Sequence, residues 1–476
     1  MHGARREWPR VAGLLLALAM ALSIAHSVYR IPVQVGDSLD VILVSRHAES
    51  SVELLKDAST WSPTTLRPMR YLQARWLSVL AESLGTSYHA VFRGTHAALA
   101  TIIVGLIAWI ANPRRWADVV ALGIALTVLI GLHTFDAMMR EAFPVNHYAE
   151  VAAAALFVLG SSLRPHRLIS EIVVLLALVW GLLLIESAGL IWIVIVTCAA
   201  LRMPGMRTRT AVMATVVLAL FFIARWQLEI STPGIGSHSS GWGGGVLSGD
   251  ELAARFSTNP WPFYAYNVSG GALSLLASEP RFGMYQLLAA QAAGSLNPVV
   301  TINLVSSLGM TVVLIICCWS AMRRPFHQWS LETKTLATGI VVITVSAVLC
   351  AAYIKDDIIS TAGVLYAVMA YLAVQWALGR LETGMRDTSV VALALCLALV
   401  APLWGFRAVG THYELRRVAF TTRNDWALKS VNVLAGGDSA SRDDVARTGR
   451  LRGEALRQRV TSPTFLPDWG ERYWVE

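Results

Sequence analysis

Val299-Val-Thr-Ile-Asn-Leu-Val-Ser-Ser-Leu-Gly-Met-Thr-Val-Val-Leu-Ile-Ile-Cys-Cys-Trp319 carries no charged residue. A helix needs roughly 20 mainly apolar residues to cross a bilayer, and this run meets that length. Similar runs recur at Ala97–Ile110, Ala337–Tyr353 and Ser389–Trp404. Over all 476 residues, 55% are hydrophobic and 15% charged, with a mean hydropathy of +0.54. A soluble domain carries about 25% charged residues, so the sequence predicts an all-α, polytopic membrane protein.

Working outward from these runs, the first helix is expected at Val11–Ser27. Further spans follow near Ala90–Ile110, Val119–Leu132, Tyr148–Ser162, Ile169–Ile185, Ser187–Leu201, Ala211–Ala224, Val299–Trp319, Thr335–Tyr353, Ile358–Leu378 and Ser389–Trp404. This makes about eleven transmembrane helices. Arg5, Arg6 and Arg10 precede the first one and place the N-terminus in the cytoplasm by the positive-inside tendency. The same basic start and short apolar core also fit a secretory signal peptide. Every second connection is then cytoplasmic, and these read Asn112–Arg115, Arg164–Arg167, Arg202–Arg209, Arg323-Arg324 and Arg380–Arg386. All are basic, as that orientation in a bacterial inner membrane requires. The formal charge of +8 therefore reports topology, and no nucleic-acid partner is expected. All five cysteines lie in apolar stretches without CxxC or paired His spacing, which indicates neither a disulfide framework nor a zinc site.

The predicted domain organisation is a transmembrane unit over 1–405 and a tail over 406–476. Two large loops, 28–89 and 225–298, fall on the outer face with the tail. The first carries Asp37 and Asp40, three residues apart and on one face if helical. Such a pair suits proton transfer from a hydroxyl, or the binding of a divalent cation such as Mg²⁺ or Mn²⁺; on spacing alone an ordinary acidic first helical turn is the commoner origin of such a pair. Arg67, held before Pro68, suits a phosphate or a pairing with Asp37. Arg225 and Lys355 are further outer-face cations, with Asp356 and Asp357 beside Lys355 as neutralising partners. The Gly-rich stretch Ser237–Gly245 reads as a solvated linker or a lid whose Trp242 stacks on a sugar ring.

An outward first helix, acids in the first outer loop, Arg67-Pro68 and His89 and His96 at the second span together resemble the GT-C integral-membrane glycosyltransferases. The likeness is to the protein O-mannosyltransferase-like bacterial enzymes that use polyprenyl-phosphate sugars. Phe143-Pro-Val-Asn-His-Tyr148 and Leu184-Ile-Glu-Ser-Ala188 are similar to that group's second-loop and fifth-to-sixth-span motifs. Ile185 stands where the group has Lys, and the acids are spaced where the group has them adjacent or nearly so.

The resemblance implies an inverting transferase that moves a sugar from a polyprenyl-phosphate donor to a hydroxyl acceptor, with membrane lipid as its surroundings. Asp37 is the expected base and Asp40 its alternative. Asp136, Glu141 and Glu186 support base or acceptor, and Arg67, Arg225, Lys355, His147 and Trp242 contact substrate. A transporter or flippase, or a polymerase or ligase of lipid-linked glycans, is the competing expectation.

Overall fold

The computed structural model describes residues 7–58, 66–228, 240–242, 245–247, 261–277, 283–295, 298–351, 354–382, 388–429, 431–434 and 441–462, with positions 250, 254 and 259. Helix α1 (Trp8–Tyr29) begins with Pro9 in its first turn, where a missing backbone N–H costs nothing. It buries Gly13, Ala17, Ala21 and Ile24 along one side, the small residues of a close helix contact. Three shorter helices follow: α2 (Asp37–His47) and the amphipathic α3 (Ser51–Ala58) and α4 (Pro68–Ser83). Helix α5 (Tyr88–Ala111) is capped by Ser87, whose side chain accepts from the Ala90 N–H, and stops at Asn112, whose φ of 40° is left-handed. Pro113 comes next.

Helix α6 (Trp116–Gly131) turns by 64° into the short α7 (His133–Met139), with Leu132 extended between them. Then come α8 (His147–Ser162), α9 (Leu168–Leu184), a 3₁₀ turn at Glu186–Ala188, α10 (Gly189–Ala200) and α11 (Thr208–Gln227). The strands β1 (Ser240–Trp242) and β2 (Gly245–Leu247) pair antiparallel, Ser240 opposite Leu247. This hairpin is an exception to the all-helical expectation and replaces the linker read from the glycines there. Helices α12 (Trp261–Leu276), α13 (Gly283–Ala292), α14 (Pro298–Met322), α15 (Leu331–Leu349), α16 (Asp356–Glu382), α17 (Thr388–Leu428) and α18 (Arg442–Arg457) complete the chain.

Each of the eleven predicted segments is helical. Seven helices among the described residues are long and apolar enough to cross a membrane, or eight if α6 and α7 form one bent span. The 17-residue α9 and the segment Glu186–Ala200 are apolar but shorter, and the 16-residue α8 is likewise shorter than a full crossing. The described residues thus form an almost entirely helical, multi-span bundle in which seven or eight helices reach the length and apolarity of a full crossing.

Helix α16 is the axis. It is buried along most of its length, and α6, α7, α8, α14, α15 and α17 all pack on it. Its Ala362, Gly363, Ala367, Ala370 and Ala373 permit those close approaches; a methyl group at Gly363 would collide with Thr134. Gly160 of α8 similarly leaves room for the Trp109 ring of α5.

Interhelical bonds define two ends. At the basic end, Tyr371 Oη donates to the Ala111 carbonyl at 2.9 Å, Gln375 to Asp118 at 2.9 Å and Arg164 to the Trp109 carbonyl at 2.7 Å. The opposite end receives the long irregular segments. Helix α17 does not stop at Trp404: it runs on for another 24 residues, through the boundary that polarity places at 406. Its extension is held by buried Arg407, which donates to Ser306 and Ser307 at 2.9 and 2.8 Å, and by Thr411, which bonds the Ile130 carbonyl. Trp426 enters a second apolar cluster with Val33, Ile42, Tyr88, Phe92 and Leu451, so α17 and α18 close over the first loop.

Candidate active site

The second apolar cluster fixes α2, α4 and the start of α5 above the bundle, and polar bonds then fix the loop between α7 and α8 against them. Gln34 donates to the Arg140 carbonyl at 2.9 Å, and Ser38 Oγ donates to the Ala142 carbonyl. Buried Arg93 reaches the carbonyls of Glu141 and Pro32, both at 3.3 Å, and His96 Nδ1 at 2.8 Å. Glu150 of α8 accepts from Gln73 of α4 at 2.9 Å and from Trp180 of α9 at 2.7 Å. These contacts hold the residues around 67–70 and 136–148 in one place.

Two charged groupings result. In the first, Glu186 lies between two guanidinium groups. Arg67 donates to one carboxylate oxygen from Nε at 3.0 Å and Nη2 at 2.7 Å, and Arg225 donates to the other at 2.9 Å. Arg225 is 1% exposed while Glu186 and Arg67 are 30% and 26% exposed, so the pair opens toward the surface on the Arg67 side. Its formal charge is one positive unit. Arg67 therefore pairs with Glu186, not with Asp37. The extended Ile185 breaks the helical path after α9, so that Glu186 opens the 3₁₀ turn at that end of the bundle.

Glu141 anchors the second grouping. One oxygen accepts the Phe143 N–H at 3.3 Å; the other, buried, has no hydrogen-bond partner among the described residues and lies 3.9 Å from His147 Nε2. Burial, reinforced by Asp357, raises the Glu141 carboxyl from 4.5 to about 7. Arg70 lies over the Phe143 ring, 3.1 Å from its centroid, and burial together with Arg67 lowers its guanidinium to about 10. Lys355 bonds Asp357 at 2.7 Å and stands over the Tyr148 ring. Burial opposes its charge, but Asp357, Tyr148 and Glu141 together outweigh this and hold it up. Tyr148 feels Lys355, Glu141 and Arg67 together, and Arg70 feels both Arg67 and Glu141. The two groupings share one electrostatic neighbourhood.

The remaining candidates divide. Asp136 is bound to Arg140 at 2.8 Å, and His133 donates or accepts at Ser274 at 3.0 Å with Asp356 at 3.7 Å, both beside the main grouping. Asp37 and Asp40 occupy the first turn of α2 with exposed side chains, and neither carboxylate makes a hydrogen bond or ion pair among the described residues. Partial burial and Asp37 raise the Asp40 carboxyl. Trp242 ends β1, and its side chain lies outside the described residues. Among the described residues no three His, Cys, Asp or Glu side chains converge to hold a metal.

Sequence reasoning passed over Arg70 and Arg93. The signal for Arg70 was its spacing, one helical turn after Arg67 on the amphipathic helix; for Arg93 it was an arginine inside a stretch heading into the membrane. Chemically, the cluster offers a carboxyl that changes ionisation near neutrality, with cations on two sides, at one end of the bundle. Comparison with protein-family models, with curated proteins and with solved structures finds no match.

Proposed function

We propose that the protein is an inverting glycosyltransferase of GT-C type, transferring a sugar from a polyprenyl-phosphate donor to a hydroxyl acceptor at the membrane face opposite its N-terminus. The observation that carries this reading is the cluster of Glu141, Arg70, Lys355 and the Arg67–Glu186–Arg225 bridge at one end of the bundle. In the reaction the acceptor oxygen forms a bond to the anomeric carbon while the bond from that carbon to the phosphate oxygen breaks. Its electron pair leaves with the polyprenyl phosphate, and the acceptor proton passes to the Glu141 carboxylate.

A base near neutrality serves this step best, which favours Glu141 over the exposed Asp37. Asp37 and Asp40 stand at the rim, suited to orienting acceptor hydroxyls. Arg67, Arg70 and Lys355 stabilise the developing phosphate charge, where prepositioned donors are most effective. We place this site on the outer face of a bacterial inner membrane with eleven helical segments traversing or entering the bilayer.

A transporter gathers ionisable groups near the bilayer midplane. The buried charges in this bundle lie toward its two ends, which supports chemistry at a surface. The test is turnover of labelled polyprenyl-phosphate sugars by the reconstituted protein. Lys355→Ala is expected to weaken donor use, and Asp37→Asn to raise the acceptor KM with kcat retained. Loss of kcat in Asp37→Asn with a normal Glu141→Gln enzyme would return the base to the first loop.

A further inference from the structure

Arg93 sits in the second turn of α5 and is 2% exposed. A guanidinium taken out of water is ordinarily retained by an acid that pairs with it. Among the described residues Arg93 has no such pair: it bonds the carbonyls of Pro32 and Glu141, both at 3.3 Å, and His96 Nδ1 at 2.8 Å. A guanidinium only donates, so His96 Nδ1 accepts and that imidazole is neutral. None of the three partners carries a negative charge. The acid whose field reaches Arg93 is the Glu141 carboxylate, on the residue whose main chain it already holds.

Most other charges facing Glu141 are paired. On its own loop Arg140 is bonded to Asp136 at 2.8 Å. From α16, Lys355 and Asp357 bond each other at 2.7 Å, which offsets one charge with the other. Helix α8 contributes His147, 3.9 Å away, and the Tyr148 phenol. Helix α4 contributes Arg67, engaged by Glu186 at 2.7 Å, and Arg70, which stacks on Phe143. Arg70 and Arg93 are then the cations of this neighbourhood without an acid of their own among the described residues, and they differ in access. Arg70 belongs with the groups proposed to meet the donor phosphate, whereas Arg93 is too deeply buried to touch substrate.

We infer that Arg93 is a positioning residue for Glu141: its carbonyl bonds tie the loop bearing Glu141 and the first outer loop to α5, and its charge favours the carboxylate form of Glu141. The inference rests on the reading of Glu141 as the base. Coulomb attraction is stronger in a low-dielectric interior than in water, so a cation fixed there opposes the burial that disfavours ionisation. Without that cation a smaller fraction of Glu141 would be ionised at neutral pH, and fewer molecules would hold a competent base.

The experiment reads Glu141 ionisation from stability, so it needs no sugar transfer. Thermal unfolding in detergent, from about pH 5 to 9, is compared between Glu141 and Glu141→Gln proteins on three backgrounds: wild type, Arg93→Gln and Arg93→Lys. The difference within each pair isolates the Glu141 titration. Gln keeps amide donors for the carbonyls without the charge, and Lys keeps the charge without the fork. The expected midpoint rises by at least about half a pH unit in Arg93→Gln, roughly threefold in the ionisation constant, and stays in place in Arg93→Lys. Arg93→Met, also uncharged and of similar length, replaces Gln if that variant does not fold. In transfer assays the rise of kcat with pH should follow the same midpoints while the donor KM holds. A midpoint unmoved by loss of the charge, or moved equally by Gln and Lys, would overturn the inference and make Arg93 a structural anchor. Shifted midpoints in a folded protein that transfers no sugar would uphold the coupling and refute the assigned reaction alone.

Discussion

Replacing Glu141 by Gln should make the protein more stable at alkaline pH while removing its activity. In the folded chain burial holds this carboxyl at about 7, against 4.5 for an exposed one. That difference corresponds to about 3 kcal/mol. Its sign follows from which state binds the proton. Below pH 4.5 folded and unfolded chains both carry neutral Glu141, and its contribution is undiminished. Between 4.5 and 7 the unfolded chain ionises first, so stability falls as pH rises, and above 7 the loss levels off.

Gln at this position cannot ionise, so thermal unfolding in detergent should show wild type losing stability relative to Glu141→Gln from pH 5 to 8, toward that 3 kcal/mol. Sugar transfer should fall by about 100- to 10,000-fold, the range for removal of a general base, and the wild-type rate should rise with pH to a plateau beyond 7. A Gln variant that turns over normally, or whose stability tracks wild type at every pH, would refute both the burial argument and the assigned role.

Glu186→Ala removes the carboxylate that the buried Arg225 guanidinium bonds at 2.9 Å. It should destabilise the protein by about 3 kcal/mol, with Glu186→Ala/Arg225→Leu regaining stability but not donor use; chemical denaturation beside transfer assays distinguishes the two effects. Gly160→Leu drives a side chain into the Trp109 ring and should cost at least about 1–3 kcal/mol from overpacking, read as a lowered unfolding temperature. Trp426→Ala removes a fully buried ring whose N–H bonds the Val33 carbonyl at 2.7 Å, and should cost about 3–5 kcal/mol and loosen α2 and α18 together, seen as faster hydrogen exchange in both.

The helices were legible because uninterrupted apolar runs and arginine-rich connections are local signals. The run at Val299–Trp319 became α14 almost unchanged. Local signals could not reveal the turn at Leu132, where apolar composition continues through a 64° change of direction. Nor could they reveal α12, whose aromatic and small residues form a helix that ends against Thr311. Helix α17 continued past Trp404 because its polar residues find partners on α6 and α14, which only the packed bundle supplies.

For the site, the sequence nominated Glu141, Glu186, Arg67, Arg225 and Lys355, and the fold brings Arg67 and Arg225 onto Glu186 and sets Lys355 within reach of Glu141. Partner choice depended on long-range packing. Glu186 and Arg67 are 119 residues apart, and Asp37 and Asp40, expected to act from their spacing and the family resemblance, stand on an exposed helical turn.

The central claim is that the Glu141 cluster transfers a sugar from a lipid phosphate. Its most direct test is the stoichiometry of polyprenyl phosphate released per glycoside formed by the reconstituted protein, wild type against Glu141→Gln. One-to-one release in wild type, abolished by Gln, is the predicted result. Absence of release from every polyprenyl-phosphate sugar with the protein folded, or equal release by both proteins, would contradict it.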